Sequence, residues 1–198
     1  MQRCGWGGAL SNTYLTLTGQ DHLTAYVGSA VYPMLGHADI VQSYAAIIPY
    51  PTSDTELRVA FERGPDDVSA PGSTVIVPAL FAVAPLAKPQ YSRAIDALEI
   101  DWAPFDPTQL VSWSVYGACV QAFGEVSAVD AGRVAIPAGT LKKPPNPPPD
   151  EEHHPIPPDE CTANAFVTKS RDGHVDPAFS GGTFKASQER GITFTSVP

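Results

Sequence analysis

Glu56-Leu57-Arg58-Val59-Ala60-Phe61-Glu62 decides the fold class. Leu57, Val59 and Phe61 fall on one side of an extended chain; Glu56, Arg58 and Glu62 fall on the other. Alternation with a period of two marks a strand with one face buried and one wet. Working outward, the same period recurs in Tyr14-Leu15-Thr16-Leu17-Thr18 and in Leu98-Glu99-Ile100-Asp101-Trp102. Val111-Ser112-Trp113-Ser114-Val115 repeats it with β-branched and aromatic residues, and Arg133-Val134-Ala135-Ile136 repeats it more weakly. Val75-Ile76-Val77 is apolar on both faces, as a buried strand is. Pro78 then has no N–H for a ladder and marks an edge or a bulge.

Turn signals separate these runs. They are Gly19-Gln20-Asp21, Tyr50 to Asp54, Arg63 to Asp67, Pro71-Gly72-Ser73, Pro104 to Pro107 and Asp130-Ala131-Gly132. Short strands between regular turn clusters predict an all-β body, a β-sandwich or jelly-roll of about eight strands over residues 1–141. Asp39 to Ile48 is ambiguous, with apolar residues at 40, 41, 44, 45 and 48. That spacing suits a helix, but its β-branched content tips the expectation to a strand.

The proline content is uneven. The chain holds 21 prolines in 198 residues, and 8 of them lie between Pro144 and Pro158. That stretch favours polyproline II, at ~3.1 Å per residue, and 15 residues reach roughly 45 Å. Charge divides the chain at the same place: residues 1–141 carry net −7, 142–160 net −3 and 161–198 net +1. The reading is a body (1–141), a Pro-rich acidic arm (142–160) and a C-terminal extension (161–198). Asn164 to Thr168 and Gly191 to Val197 have strand character. Four of the eight phenylalanines, Phe166, Phe179, Phe184 and Phe194, lie in those last 38 residues. So aromatic a segment is not a solvating tail, and it is too small for a core of its own. It is expected to dock through short strands on the body or on a neighbour. The same organisation predicts a body that folds without residues 142–198.

Several classes are excluded. No apolar run approaches the ~18 residues of a membrane span, and the first residues lack the apolar stretch of a signal peptide. A net charge of −9 opposes binding to nucleic acid through its phosphates. Three cysteines, Cys4, Cys119 and Cys161, are odd in number and widely spaced, so free thiols in a reducing compartment are expected, with an interchain bridge as the alternative.

The search for chemistry is brief. There is no phosphate-binding loop and no nucleophile elbow. Cys119 reads as a small buried thiol. His153 and His154, beside Glu151 and Glu152, are ligand types, but neighbours on an extended chain point apart. Asp66-Asp67 and Asp172 to Asp176 do not match a calcium loop and read as turn acids. Trp102 and Trp113 sit in alternating strands and read as core, although exposed tryptophans would offer a sugar platform. No catalytic residue, metal or cofactor is expected.

The combination points to a non-enzymatic structural subunit of a large assembly. The closest class is a virion protein of a virus or phage: a capsid decoration, cement or minor capsid protein. A tail, neck or fibre-base protein, or a β-sandwich module binding carbohydrate or peptide, is the alternative. Its partners would be copies of itself or another virion protein, without nucleic acid or membrane. The expected contact residues are Pro147, Pro148, Pro149 and Ile156 in the arm, with Phe166, Phe179, Phe184 and Phe194 beyond it.

Overall fold

The structure, a computed structural model, describes residues 17, 19–37, 43–49, 53–147 and 155–198. Fourteen strands and no helix occur among them. In chain order they are β1 (His22–Val27), β2 (Ala30–Pro33), β3 (Leu35–His37), β4 (Ser43–Ala45) and β5 (Glu56–Glu62). Then follow β6 (Ala70–Ile76), β7 (Ala82–Val83), β8 (Gln90–Ser92), β9 (Leu98–Ala103) and β10 (Leu110–Gly117). The last are β11 (Val120–Val129), β12 (Arg133–Ile136), β13 (Cys161–Asp172) and β14 (Lys185–Val197). The fold is all-β and sandwich-like, as the alternating runs require. Alternation marked neither β2, β3, β7 and β8, which are short, nor β1 and the ten-residue β11. The stretch at Asp39 to Ile48 contains β4, paired with β3; residues 38–42 lie outside the described set, as does most of Tyr14 to Thr18.

The main core lies between a five-stranded sheet, ordered β11-β10-β13-β14-β8, and a three-stranded sheet, ordered β12-β9-β7. Alternation supplies it. Val111, Trp113 and Val115 of β10 point inward, beside Ala163, Ala165 and Val167 of β13. Leu98, Ile100 and Trp102 of β9 face them from the other layer. Trp102 and Trp113 are therefore core residues, at 4% and 8% exposure. Neither is a sugar platform, and truncating either one cavitates the core.

A four-stranded sheet, ordered β2-β1-β5-β6, packs against the tip of the β13–β14 hairpin. Thr74 and His174 exchange two main-chain hydrogen bonds (2.9 and 2.7 Å). Asp176 accepts from the Gly72 and Ala178 amides (2.6 and 2.8 Å), and Phe61 stacks on Phe179 with centroids 6.0 Å apart. The Asp172 to Asp176 acids thus work as turn and docking groups. Pro71-Gly72-Ser73, expected to be a turn, lies inside β6. The ladder shifts register there, so Pro71 occupies a bulge and needs no donor.

The expected free thiols are overturned for two of the three cysteines: Cys119 and Cys161 are joined in one intrachain disulfide. Wide spacing in sequence hid a pair that the β10–β11 turn and the start of β13 bring together. The bridge spans 42 residues and encloses the Pro-rich segment. Replacing both cysteines with alanine is expected to lower unfolding free energy by about 2–4 kcal/mol, read from urea denaturation. A loss under ~0.5 kcal/mol would mean that the unfolded chain is not restrained by the link.

Residues 161–198 contribute two long strands, 12 and 13 residues, in the middle of the five-stranded sheet. The extension therefore docks on its own body. The Pro-rich segment does not span its available reach, because Lys143 Nζ and Asp159 Oδ1 stand 2.6 Å apart. Arg93 adds a hydrogen bond to the Asp159 carbonyl (2.9 Å) and another to Ser196 Oγ (2.9 Å). The lysine beside Asp159 holds its exposed carboxyl below the ordinary carboxylate range.

Candidate interaction site

Among the described residues, those expected to make contacts do not form one surface. Phe194 is buried at 4% and meets Tyr91 edge-on at 5.6 Å. Phe166 stacks on Tyr116 (5.3 Å) across the outer face of the five-stranded sheet, where Gly191 leaves room for the ring. Phe179 lies on Phe61, and the half-buried Phe184 sits at the hairpin tip, its carbonyl accepting from Gly173 N. Pro147 is half-buried and Ile156 is exposed; Pro148, Pro149, His153 and His154 lie outside the described residues. Among the described residues, no cluster of three His, Cys, Asp or Glu side chains is placed to hold a metal. No helix among them is long and apolar enough to cross a membrane.

Two features that periodicity did not mark stand out instead: one edge of the five-stranded sheet and the largely uncovered flank of its strand β14. The first is β11. It pairs with β10 on one side; among the described residues no strand lies on the other, where Gln121 N donates to the Lys142 carbonyl (2.8 Å). Its residues from Gln121 to Ser127 are all exposed, and Val126 and Val129 are 84% and 61% accessible. Phe123 lies tilted over Trp113 at 5.6 Å and still shows surface. A bulge interrupts the ladder near Val126, with Ser127 at φ 70°. Gly124 passes so near β10 that a Cβ would stand 2.2 Å from the Trp113 carbonyl oxygen. Adjacent unpaired backbone and exposed apolar side chains are what a neighbouring chain can use.

The second is the free flank of β14. β13 pairs along its whole length without a register shift, but β8 covers only Thr195, Ser196 and Val197 on the other side. Thr195 N donates to Pro89 O on that flank. By the period of two, Ser187, Glu189, Gly191 and Thr193 turn their N–H and C=O groups the same way. Among the described residues, no main-chain bond reaches them there. Arg190 bends back to donate to the Glu189 carbonyl (2.8 Å). Beside this flank runs an open groove of about 780 Å³, between Ala186–Arg190 and the apolar side chains of Val27, Ile48, Leu57, Val77 and Leu80. Gln188 lines it and is 8% exposed. Its Nε2 donates to the Pro78 carbonyl (3.0 Å), which fixes the amide orientation and leaves Oε1 without a partner.

Nothing in the sequence pattern of β11 or β14 announces these edges, because which strand lies outermost is a property of sheet order. Comparison of the sequence with protein-family models gives no match, and comparison with curated proteins gives none.

Proposed function

We propose that the protein is a non-enzymatic structural subunit of a larger protein assembly, built to be held by neighbours along sheet edges. The observation that carries this reading is β11, a ten-residue edge strand exposed on both faces with Phe123, Val126 and Val129 showing apolar surface. An isolated chain gains nothing from such an edge and risks indiscriminate pairing, whereas a subunit covers it with a partner. Within this class, a virion protein of a virus or phage remains the proposed setting, as a decoration, cement or minor capsid component. The intrachain disulfide fits a particle that spends time outside a reducing cell.

Light scattering on the purified chain tests the reading. The wild type is expected at a multiple of 21.0 kDa. Val126→Lys with Val129→Glu is expected to give the single-chain mass with an unchanged Tm, because both side chains are exposed. A wild type that stays at the single-chain mass at high concentration, with β11 amides exchanging freely, would remove β11 as a self-contact.

A further inference from the structure

We propose that the groove beside β14 is an acceptor site for an extended peptide segment of a partner protein, which adds as a strand to the free flank at Ser187, Glu189, Gly191 and Thr193. The partner chemistry follows from what the groove presents. Four successive outward-facing residues offer N–H and C=O groups every second position, about 6.6–6.8 Å apart. Only another extended backbone repeats donors and acceptors at that spacing, so a compact small molecule does not complete the edge. β8 already does this for Thr195 to Val197, so the incoming segment continues the place of an existing strand.

Side-chain specificity comes from the walls. Leu57, Val77 and Leu80 line one wall, Ala186 to Arg190 form the other, and the mouth between them is open. The segment that fits alternates apolar residues toward the groove with polar residues toward water, over about seven positions. The unpartnered Oε1 of Gln188 gives the apolar side one acceptor, suited to a Ser or Thr hydroxyl. Arg190, bonded to the Glu189 carbonyl, covers part of the ladder and must swing away first. It works as a guard on the edge, in the way charged side chains blunt free strands.

The identity of the partner rests on the assembly reading, but the site itself is testable on the isolated full chain and is separate from β11. The probe is a fluorescein-labelled nine-residue peptide of alternating Val and Thr with a terminal Lys. Anisotropy is expected to show saturable one-to-one binding. Methylating the backbone nitrogens on one edge of the peptide is expected to weaken it at least tenfold, because the ladder loses its donors. Leu80→Glu, at a residue already 46% exposed, is expected to weaken it similarly without lowering Tm. Arg190→Ala is expected to tighten it. Hydrogen exchange then locates the peptide: slowing at Ser187, Glu189, Gly191 and Thr193 supports the site. Absence of saturable binding overturns it, as does equal binding of the N-methylated peptide. Slowing confined to β11 overturns it too, and in that case the β11 reading survives.

Discussion

A chain ending at Glu160 is expected not to fold. The cut removes β13 and β14, two central members of the five-stranded sheet. With them go Ala163, Ala165, Val167 and Phe194 from the core, the Cys161 half of the disulfide and the buried Lys169. β10 then keeps only β11 as a sheet neighbour, and Leu98, Ile100 and Trp102 of β9 lose the part of the opposing layer that Ala163, Ala165, Val167 and Phe194 supply. Among the described residues, no other strand takes the place of β13 and β14 in that sheet. Circular dichroism and a thermal scan check this. The truncated chain should show no cooperative transition, and adding residues 161–198 as a separate peptide should restore one. A cooperative melt from the truncated chain alone would show that residues 1–160 form an independent unit. The proline run invites that division, but the disulfide and the strand order oppose it.

Asp130→Ala is expected to cost about 3–5 kcal/mol of unfolding free energy. Asp130 is fully buried, and its carboxylate accepts from Lys169 Nζ (2.7 Å), Trp102 Nε1 (2.7 Å) and the amides of Asp106 and Gly132 (3.0 and 3.3 Å). Lys169 also donates to the Pro104 carbonyl (2.6 Å). Removing the carboxylate strands a buried ammonium and a buried indole N–H, and that penalty exceeds the worth of the pair itself. Asp130→Leu with Lys169→Met should recover the part due to the stranded ammonium, while the Trp102 indole N–H stays without its acceptor. Asp101→Ala is the control: its pair with Arg133 is exposed, so a loss of no more than about 1 kcal/mol is expected. Equal losses from Asp130→Ala and Asp101→Ala, in urea denaturation, would refute a special role for the buried pair.

The same cluster sets a pH dependence. Burial pushes the Asp130 carboxyl up, but the hydrogen bonds from Lys169, the Asp106 amide and Trp102 outweigh it and hold the group below the ordinary 3.8. The unfolded chain therefore takes up this proton first as pH falls. The contribution is complete well above pH 4 and drains away as pH drops from the unfolded value through the folded one. Lys169→Met with Asp130→Leu should flatten the acid limb of stability against pH.

How much was legible in sequence depended on range. β5 and β12 coincide with the alternating runs at Glu56 to Glu62 and Arg133 to Ile136, because alternation is local and one buried face enforces it. Trp102 and Trp113 read correctly as core for the same reason. Ala60 shows where the pattern ends. It lies on the charged side of its strand, yet it is fully buried, and its cross-strand partner Thr24 of β1 is buried too. The cysteine pair, the inward Lys169 and the free flank of β14 left no local trace. Lys169 occupies a position of the kind that held Val167, and Asp130, 39 residues earlier, together with the Pro104 carbonyl makes it tolerable there.

By itself, the sequence determined the all-β class, the strands with clear alternation, the core role of Trp102 and Trp113 and the acidic, proline-punctuated composition, since each follows from the chemistry of adjacent residues. Only the tertiary structure decided that the last 38 residues are the middle of a sheet, that Cys119 meets Cys161, and that β11 and β14 keep open edges. Those outcomes depend on which strands pair. Pairing is settled by burial summed over residues far apart in the chain, which no short window contains.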